Sequence, residues 1–435
     1  MIKEILIKVW FFSSIGCWSI GLFPNVIWMV VNTVLIIACI IWYIKTKLSY
    51  ITLFKYVFWL YYFWIILCFI RGIWEASHLT YYHQKNLFTS GASAFVVLFV
   101  ALCSSKKYAT WLLRNWYSIF SLFAIYIAIF AELRLWSTLF TPILLFFFFL
   151  GSKSYLYKSV FILLCIALCV LDLEARAPFV KFGLATGCLI LLGFKERLRN
   201  FILKVGCMIG YAIPFLFFFL AVSGVFNILD FNEYMEVVDV RSSTSGEEVN
   251  LYADTRTFIY AEVLESALKN EYVLQGRTFA RGNDSSYALS LYEDLSLPER
   301  FMNESSILNI FTWEGLVGVV LYTLLFMIAT FSSLVYTKNK YIKVMAMYIA
   351  FIWAFSWVEV INTVDISYVT FLIMVGMCSS REFQSMSNRE FRIWAHQFLP
   401  FKKLYNDSYL IDKYVIRYVS NYIRNVLIKR ASLDV

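Results

Sequence analysis

The sequence contains few charged residues, and this shortage excludes a soluble globular protein. Only 15% of its 435 residues are Asp, Glu, Lys or Arg, whereas 61% are hydrophobic. Soluble domains contain about 25% charged and about 45–50% apolar residues. The alternating apolar and polar pattern of a membrane β-barrel is also absent. The composition therefore indicates an all-α integral membrane protein, because lipid offers the backbone of a helical span no other hydrogen-bond partner.

Histidine is scarce, and cysteine is missing from the polar part of the chain. The three histidines are too scattered for a metal-binding motif, so we predict neither a metal nor another cofactor. None of the nine cysteines lies between 226 and 306, which excludes a disulfide framework there. The sequence also lacks a Gly-rich phosphate loop, a kinase signature, a serine-hydrolase elbow and a His-Glu-x-x-His motif. These absences exclude the enzyme classes that such motifs define.

Long apolar runs are abundant, and they predict about twelve transmembrane helices. A run of roughly 17–25 residues is long enough to cross a bilayer as a helix. The predicted spans cover 5–22, 24–44, 50–70, 87–103, 108–130, 136–150, 155–171, 177–194, 201–225, 307–335, 340–358 and 364–380. The predicted domains are spans one to nine at 1–225, a large loop at 226–306, spans ten to twelve at 307–380, and a basic tail at 381–435.

The positions of Lys and Arg predict that both termini are cytoplasmic. Every second connection carries basic residues, and the alternate connections are poor in them: 22–24, 71–86, 131–135, 172–176, 226–306 and 359–363. By the positive-inside rule, the basic connections are cytoplasmic and the large loop is outside. The loop has a net charge of −9, so the rest of the chain carries +18 against +9 overall. The basic balance therefore reflects membrane topology, and we expect no nucleic-acid partner.

The large loop is predicted to be partly helical and to form a lid over a membrane cavity. Asp254 can cap a helix that ends at Asn270. The apolar face of that helix is predicted from its spacing to contain Phe258, Ala261, Leu264 and Leu268. A second short helix is predicted over 286–296.

The tail is predicted to be a separate cytoplasmic segment. It holds ten basic and five acidic residues. Its apolar residues recur at helical spacing: Val415, Tyr418, Val419, Tyr422 and Val426. This pattern is typical of an amphipathic helix on the anionic inner leaflet. The alternative is an ordinary topology anchor.

Arg176 and Lys181 are basic residues near the predicted outer surface, against the orientation signal. Arg176 lies in the turn before the eighth span, and Lys181 lies about one helical turn inside that span. A guanidinium donates hydrogen bonds in a fork that suits phosphate. The alternatives are an ion pair between Arg176 and Asp172 or Glu174, and snorkelling of either basic side chain to the headgroups.

Four arginines of the loop are further candidates for contacts with an anionic or glycan ligand: Arg256, Arg277, Arg281 and Arg300. Arg256 lies in the first turn of the predicted loop helix, where free N–H groups attract anions. The alternative for Arg256 is a surface contact with Asp254. For the other three, the alternative to a glycan contact is a solvated loop charge.

Glu304 is the candidate catalytic base. It precedes the tenth span by a few residues, where a carboxylate could accept a proton from a sugar hydroxyl. The alternative is an acid that stabilises the start of a helix. In the outer loop 71–86, Tyr82 and His83 could contact a glycan, although aromatic residues also mark membrane interfaces.

The layout and several short motifs resemble the O-antigen polymerase and O-antigen ligase superfamily of bacterial envelopes. Ala175-Arg176-Ala177 resembles its Ser-Arg-Gly turn, and Asp254-Thr255-Arg256 followed by Leu274-Gln275-Gly276 resembles its loop helix and Gly turn. Glu304-Ser305-Ser306-Ile307-Leu308, followed by Glu314-Gly315-Leu316-Val317-Gly318, resembles its His-Asn-x-x-Leu segment and Gly-x-x-Gly span entry. The resemblance covers mainly 150–335. Glu304 stands where ligases carry a histidine, which favours polymerase over ligase.

The resemblance implies an inverting, metal-independent glycosyltransferase on the periplasmic side of the bacterial inner membrane. Its donor and acceptor would be glycan repeat units linked to undecaprenyl pyrophosphate, and a protein that regulates chain length is an expected partner. Arg176, Arg256 and Lys181 would bind the pyrophosphate, and Glu304 would accept the proton of the acceptor hydroxyl.

Two alternatives remain. One is an O-antigen ligase, and the other, from a different class, is a lipid-linked-oligosaccharide flippase or other transporter. Transporters often have broken helices and charges at mid-membrane depth. The sequence places its charges at the predicted outer ends of the spans, which argues against a transporter.

Overall fold

The computed structural model describes residues 50–98, 100, 103–110, 113–114, 153–170, 176–222, 239–241, 248–250, 257–285, 299–362, 366–399 and 402–431. Most of these residues are helical. The longer helices are α1 (Thr52–Ser77), α2 (Tyr81–Phe95), α3 (Tyr155–Val170), α4 (Arg176–Leu191), α5 (Glu196–Val222), α6 (Thr257–Lys269), α7 (Ser306–Tyr336), α8 (Lys340–Phe355), α9 (Ile366–Ser379), α10 (Arg381–Ser385), α11 (Asn388–His396) and α12 (Lys402–Ala431). A 3-10 turn, Val96–Leu98, follows α2.

Three of these helices are long and apolar enough to cross a membrane: Thr52–Ser77, Glu196–Leu220 and Ser306–Tyr336. They coincide with the predicted spans at 50–70, 201–225 and 307–335. Shorter apolar helices cover Tyr155–Leu164, Phe179–Leu191 and Tyr368–Ser379. The predicted spans at 5–22, 24–44 and 136–150, and nearly all of 108–130, lie outside the described residues.

Helix α7 is the centre of the described bundle. It packs against α1, α8 and α9, while α5 packs against α8 and α1 packs against α2. The core between these helices is rich in large aromatic side chains, among them the fully buried Trp353, Tyr348, Tyr368 and Phe54. Aromatic rings supply large contact areas, and they stabilise helix packing where lipid provides no hydrophobic driving force.

The connections between the described helices gather at two opposite ends of the bundle. At one end, Tyr50 forms a β-bridge with Ser380, and the Lys106 N–H donates to Glu382. At the other end, the loop side chain of Thr278 donates to Glu75 at the end of α1. The first end contains segments predicted to be cytoplasmic, and the second contains segments predicted to be outside.

The described part of the large loop contains α6 and two short antiparallel hairpins. The strands are β1 (Asp239–Arg241), β2 (Glu248–Asn250), β3 (Asn283–Asp284) and β4 (Glu299–Arg300). β1 pairs with β2, and β3 pairs with β4, with Asn283 opposite Arg300 and Asp284 opposite Glu299. The predicted second helix at 286–296 lies outside the described residues.

The predicted apolar face of the loop helix is wrong at two of its four positions, while Leu264 is half-buried and the Phe258 side chain lies outside the described residues. The helix ends at Lys269 as expected, but Ala261 and Leu268 are exposed. The buried face instead contains Ile259, Val263, Ser266 and Ala267. Polar Ser266 belongs to this face because the Tyr272 hydroxyl and the Asp284 N–H both donate to its hydroxyl, a tertiary contact that hydropathy does not report.

The predicted outer loop at 71–86 is much shorter than expected. α1 continues to Ser77 and α2 begins at Tyr81, so only 78–80 connect the two helices. His83 is consequently a buried helical residue, while Tyr82 is exposed. The sequence predicted a loop here because the segment contains charged and polar residues. These residues instead belong to the last turns of α1 and the first turns of α2.

The tail is not a separate segment in its first half. Phe383, Phe391 and Trp394 are buried in the main core, and the Trp394 indole donates to Thr110. Its second half forms the predicted long helix, α12, which packs against α3. Val415, Tyr418 and Val419 on α12 are exposed. Tyr422 and Val426 have no described side chains.

Candidate functional site

The large loop inserts into a break in helix α7. Gly315 has φ 70° and ψ −170°, so the helix is interrupted there after its first nine residues. Two loop N–H groups, of Arg277 and Thr278, donate to the carbonyls of Thr312 (2.7 Å) and Trp313 (3.1 Å). On the other side of the break, the N–H groups of Leu316 and Val317 donate to the loop carbonyls of Val273 (2.8 Å) and Leu274 (3.2 Å). The loop therefore supplies the hydrogen-bond partners that a broken helix loses.

Glycine is required on both sides of this contact. Gly276 in the loop and Gly315 in the helix both have φ of +70°. A Cβ on Gly276 would lie 2.5 Å from the backbone nitrogen of Gly315, and a Cβ on Gly315 would be closer still to the loop backbone. Gly315 therefore breaks the helix and packs against the loop.

Side chains of α1 hold the inserted loop in place. The Arg71 guanidinium donates one hydrogen bond to the carbonyl of Gln275 (3.0 Å) and one to the carbonyl of Gly276 (3.1 Å). About two helical turns earlier in α1, the Trp64 indole donates to the carbonyl of Glu314 at 2.9 Å. α1 thus contacts both the loop and the helix break, and fixes their relative position.

The break also contains a buried carboxylate that the sequence analysis did not single out as a functional residue. Glu314 is fully buried, and its Oε1 lies 3.5 Å from the Tyr61 hydroxyl. Its Oε2 has no hydrogen-bond partner among the described residues. A Cβ on Gly318 would collide with the Glu314 side chain, so Gly318 provides space for this carboxylate. Glu314 stands beside Gly315 in the sequence, but no local pattern distinguishes a buried glutamate there from an interfacial one.

A network of charges holds the loop against the end of the bundle, and Glu299 is its centre. Glu299 is buried and accepts hydrogen bonds from Arg281 Nε (2.8 Å) and the Gly282 N–H (3.0 Å). Arg277 Nη1 lies 3.7 Å and His83 Nε2 lies 3.6 Å from its carboxylate. Three basic side chains from the loop and from α2 therefore surround one acid.

Asp284 is the second acid of this network. Arg277 Nη1 donates to its Oδ1 at 2.7 Å, and Asn270 donates to its Oδ2 at 2.9 Å. Burial would raise the pKa of Asp284, but these two hydrogen bonds and the charge of Arg277 outweigh burial and lower it. Asp284 is therefore held in its charged form.

The network changes the interpretation of three candidate residues. Arg277 and Arg281 are partly buried and ion-paired, and Arg300 lies 3.7 Å from Glu262. The alternative of a solvated loop charge is therefore wrong for all three. Each of these arginines is paired with an acid of the same loop, and this pairing lowers the free-energy cost of burying its charge. The three arginines therefore make contacts within the loop.

The start of α7 is held by the segment after α8. The Ser306 N–H donates to the Glu359 carbonyl (3.2 Å), and the Ile307 N–H donates to the Ser356 carbonyl (3.2 Å). The Ser306 hydroxyl accepts from the N–H groups of Ile361 (2.6 Å) and Asn362 (3.2 Å). Glu304 precedes this junction and is exposed beside the described part of the loop.

The structure brings together only some of the predicted site residues. Arg277, Arg281 and His83 meet around Glu299. Lys181 lies in α4, with its Nζ 5.7 Å from the centre of the Phe355 ring at the end of α8. Arg176 is the first residue of α4, but its side chain is not described, and Arg256 lies just outside the described residues.

No protein-family model matches the chain, and no curated protein or solved structure matches it significantly.

Proposed function

We propose that the chain is a membrane glycosyltransferase of the polysaccharide-polymerase type. It would join repeat units carried on undecaprenyl pyrophosphate, in O-antigen or capsule synthesis. The observation that carries the proposal is the insertion of the polar loop into the break of α7. A loop held in this way forms a fixed polar cover over one end of apolar helices, and this is where a lipid-linked donor and acceptor would meet.

The proposal includes the topology of the whole chain: about twelve spans, both termini in the cytoplasm and the large loop in the periplasm. The segregation of connections supports it. Segments rich in Lys and Arg contact one another at one end of the bundle, while the acidic loop contacts the ends of α1 and α7 at the other. A site under the loop would exclude water, which would otherwise hydrolyse the activated donor.

In the proposed reaction, Arg176 and Arg256 bind the pyrophosphate and stabilise the charge that develops on the leaving group. Lys181 adds positive charge nearby. Glu304, exposed at the junction between the loop and α7, accepts the proton of the attacking hydroxyl. Arg277 and Arg281 position the loop, since their charges are balanced by Glu299 and Asp284.

Deletion of the gene in its native strain, followed by silver-stained electrophoresis of the surface polysaccharide, tests this function. A polymerase predicts that a single-repeat band replaces the ladder. Complementation with Arg176→Ala or Arg256→Ala should fail to restore the ladder, whereas Lys403→Ala, which removes an exposed cation of α12 at the other end of the bundle, should restore it. Full-length polymer left on the carrier lipid would instead identify a ligase.

A transporter of lipid-linked oligosaccharides is the second candidate, and the break in α7 favours it. Discontinuous helices and charges at mid-membrane depth are features of transporter sites. The sequence argued against a transporter because its charges were predicted at the outer ends of the spans, whereas Glu314 is buried beside the break. In that case the deletion strain would accumulate repeat units on the inner leaflet. Glu314→Gln would reproduce this accumulation, whereas a polymerase with the same substitution would still present repeat units at the outer leaflet.

A further inference from the structure

A basic groove lies at the end of the bundle opposite the large loop. It has a volume of about 570 Å³ and is formed by α11, the start of α12 and the residues before α3. Its lining includes three cationic side chains and one histidine: Lys153, Arg389, Arg392 and His396. None of the described residues that line it is acidic.

Two acids of the adjoining helices cap helix ends, and a third, Asp407 of α12, is exposed and outside the lining. Asp412 of α12 accepts from the N–H groups of Tyr155 (2.5 Å) and Leu156 (3.3 Å), and so caps the start of α3. Glu390 of α11 accepts from the Ser387 N–H at 2.7 Å in a capping box. Within the described part of the chain, Lys153, Arg389 and Arg392 make no salt bridge. Like charges that converge without a counter-ion repel each other, so an anion from outside the chain would stabilise the groove.

Three further polar residues of the lining add hydrogen-bond donors. Tyr405, Asn406 and Tyr409 face the same groove from the first turns of α12. The His396 ring contacts the Tyr405 ring edge-on, with centroids 5.0 Å apart. Burial lowers the pKa of His396, and the neighbouring Lys402 and Lys153 lower it further, which is consistent with a positive potential in the groove. Arginine forks combined with neutral donors suit a phosphate group.

Apolar surface borders the groove on two sides. Lys153 precedes α3 by two residues, and α3 exposes Leu163 and Leu164 along its length. Beyond the groove, α12 exposes further apolar side chains: Leu410, Ile411, Tyr414 and Val415. A ligand that occupies the groove with a phosphate therefore has apolar surfaces beside it, as an amphiphile requires.

We propose that this groove binds the phosphate headgroup of an anionic phospholipid. The acyl chains of the lipid would run along the exposed face of α3, and the headgroup would neutralise Arg389 and Arg392. This site is independent of the proposed polymerase function, and it lies at the other end of the bundle from the large loop.

Native mass spectrometry of the full chain in neutral detergent tests the site. The chain would be mixed with phosphatidylglycerol or with phosphatidylcholine, and retained lipid counted. We expect selective retention of phosphatidylglycerol, and a loss of affinity of about tenfold or more in the double variant Arg389→Gln/Arg392→Gln. The matched control, Lys403→Gln/Lys413→Gln, removes the same charge from exposed positions outside the lining and should retain the lipid.

A second variant separates a built site from a diffuse basic surface. Asn406→Ala/Tyr409→Phe keeps every charge but removes two donors, and it should weaken retention of phosphatidylglycerol. Equal losses in the control and groove variants would overturn the proposal, as would equal retention of phosphatidylcholine. Thermal stabilisation by inorganic phosphate, without selective retention of phosphatidylglycerol, would overturn the assignment of a lipid as the occupant.

Discussion

Gly276 of the large loop and Gly315 of helix α7 lie in direct backbone contact, and both have φ of +70°. Their contact is the point where the loop enters the helix. The hydrogen bonds on either side of it replace those that the broken helix has lost. Two positions more than thirty residues apart in the sequence therefore depend on each other for their conformation.

Replacement of either glycine should weaken the fold. Gly315→Ala would combine a left-handed conformation with a steric clash, and we expect a loss of about 2–4 kcal/mol in the free energy of unfolding. Gly187→Ala is the control, because a Cβ on this helical glycine meets nothing within 4 Å. Thermal unfolding in detergent measures the stability of the Gly315→Ala and Gly187→Ala variants. Equal midpoints for the two variants would contradict the contact.

Glu299→Gln should release the loop from the bundle. The substitution leaves Arg281 and Arg277 partly buried without their shared carboxylate, and removal of one partner of a buried ion pair costs about 3–5 kcal/mol. Limited proteolysis should then cleave within 257–305 faster than in the wild type. Glu265→Gln, at an exposed position of α6, should leave the cleavage rate unchanged.

Asp284 should make the docking of the loop sensitive to acid. Its pKa is lowered in the folded state from an ordinary value of 3.8, so its contribution is complete above that pH and is lost as the pH falls through the lower, folded value. Asp284→Asn should therefore be less stable than the wild type at pH 7, and the difference should shrink below about pH 4. Unfolding midpoints measured from pH 7 to pH 3 provide the check, and a difference independent of pH would refute the assignment.

Glu304→Gln should lower polymer formation about 10²–10⁴-fold without affecting membrane insertion, because the amide accepts no proton. Glu304→His should retain activity, with a pH profile that moves towards the reference pKa of histidine, about 6.5. Glu265→Gln serves again as a control for the loss of an exposed carboxylate. The measurement is the polysaccharide ladder of a complemented deletion strain, and an intact ladder from Glu304→Gln would remove Glu304 from the mechanism.

The sequence predicted the helices well where local composition decides the structure. The spans at 50–70, 201–225 and 307–335 were recognisable because a run of apolar side chains has no favourable place except lipid or a protein core. The end of α6 at Lys269 and the start of α7 at Ser306 also followed from local residues. The buried face of α6 did not, since Ser266 is buried through its contacts with Tyr272 and Asp284.

The candidate site was predictable only in outline. The sequence placed Arg277, Arg281 and His83 in segments expected at one side of the membrane. It could not show that Glu299 and Asp284 neutralise the two arginines, because an ion pair depends on distances between side chains and not on their order along the chain. Glu314 was overlooked for the same reason, as its burial is produced by α1 and by the inserted loop.

What the sequence predicted by itself is a helical membrane protein with a large acidic segment between apolar runs, because hydropathy and charge act on each segment separately. Only the tertiary structure decided that the loop enters helix α7, that Gly315 is a break and not a packing position, and that a basic groove forms at the opposite end. Each of these features requires backbone or side-chain groups from distant segments to lie within a few ångströms of one another, and local composition does not specify such distances.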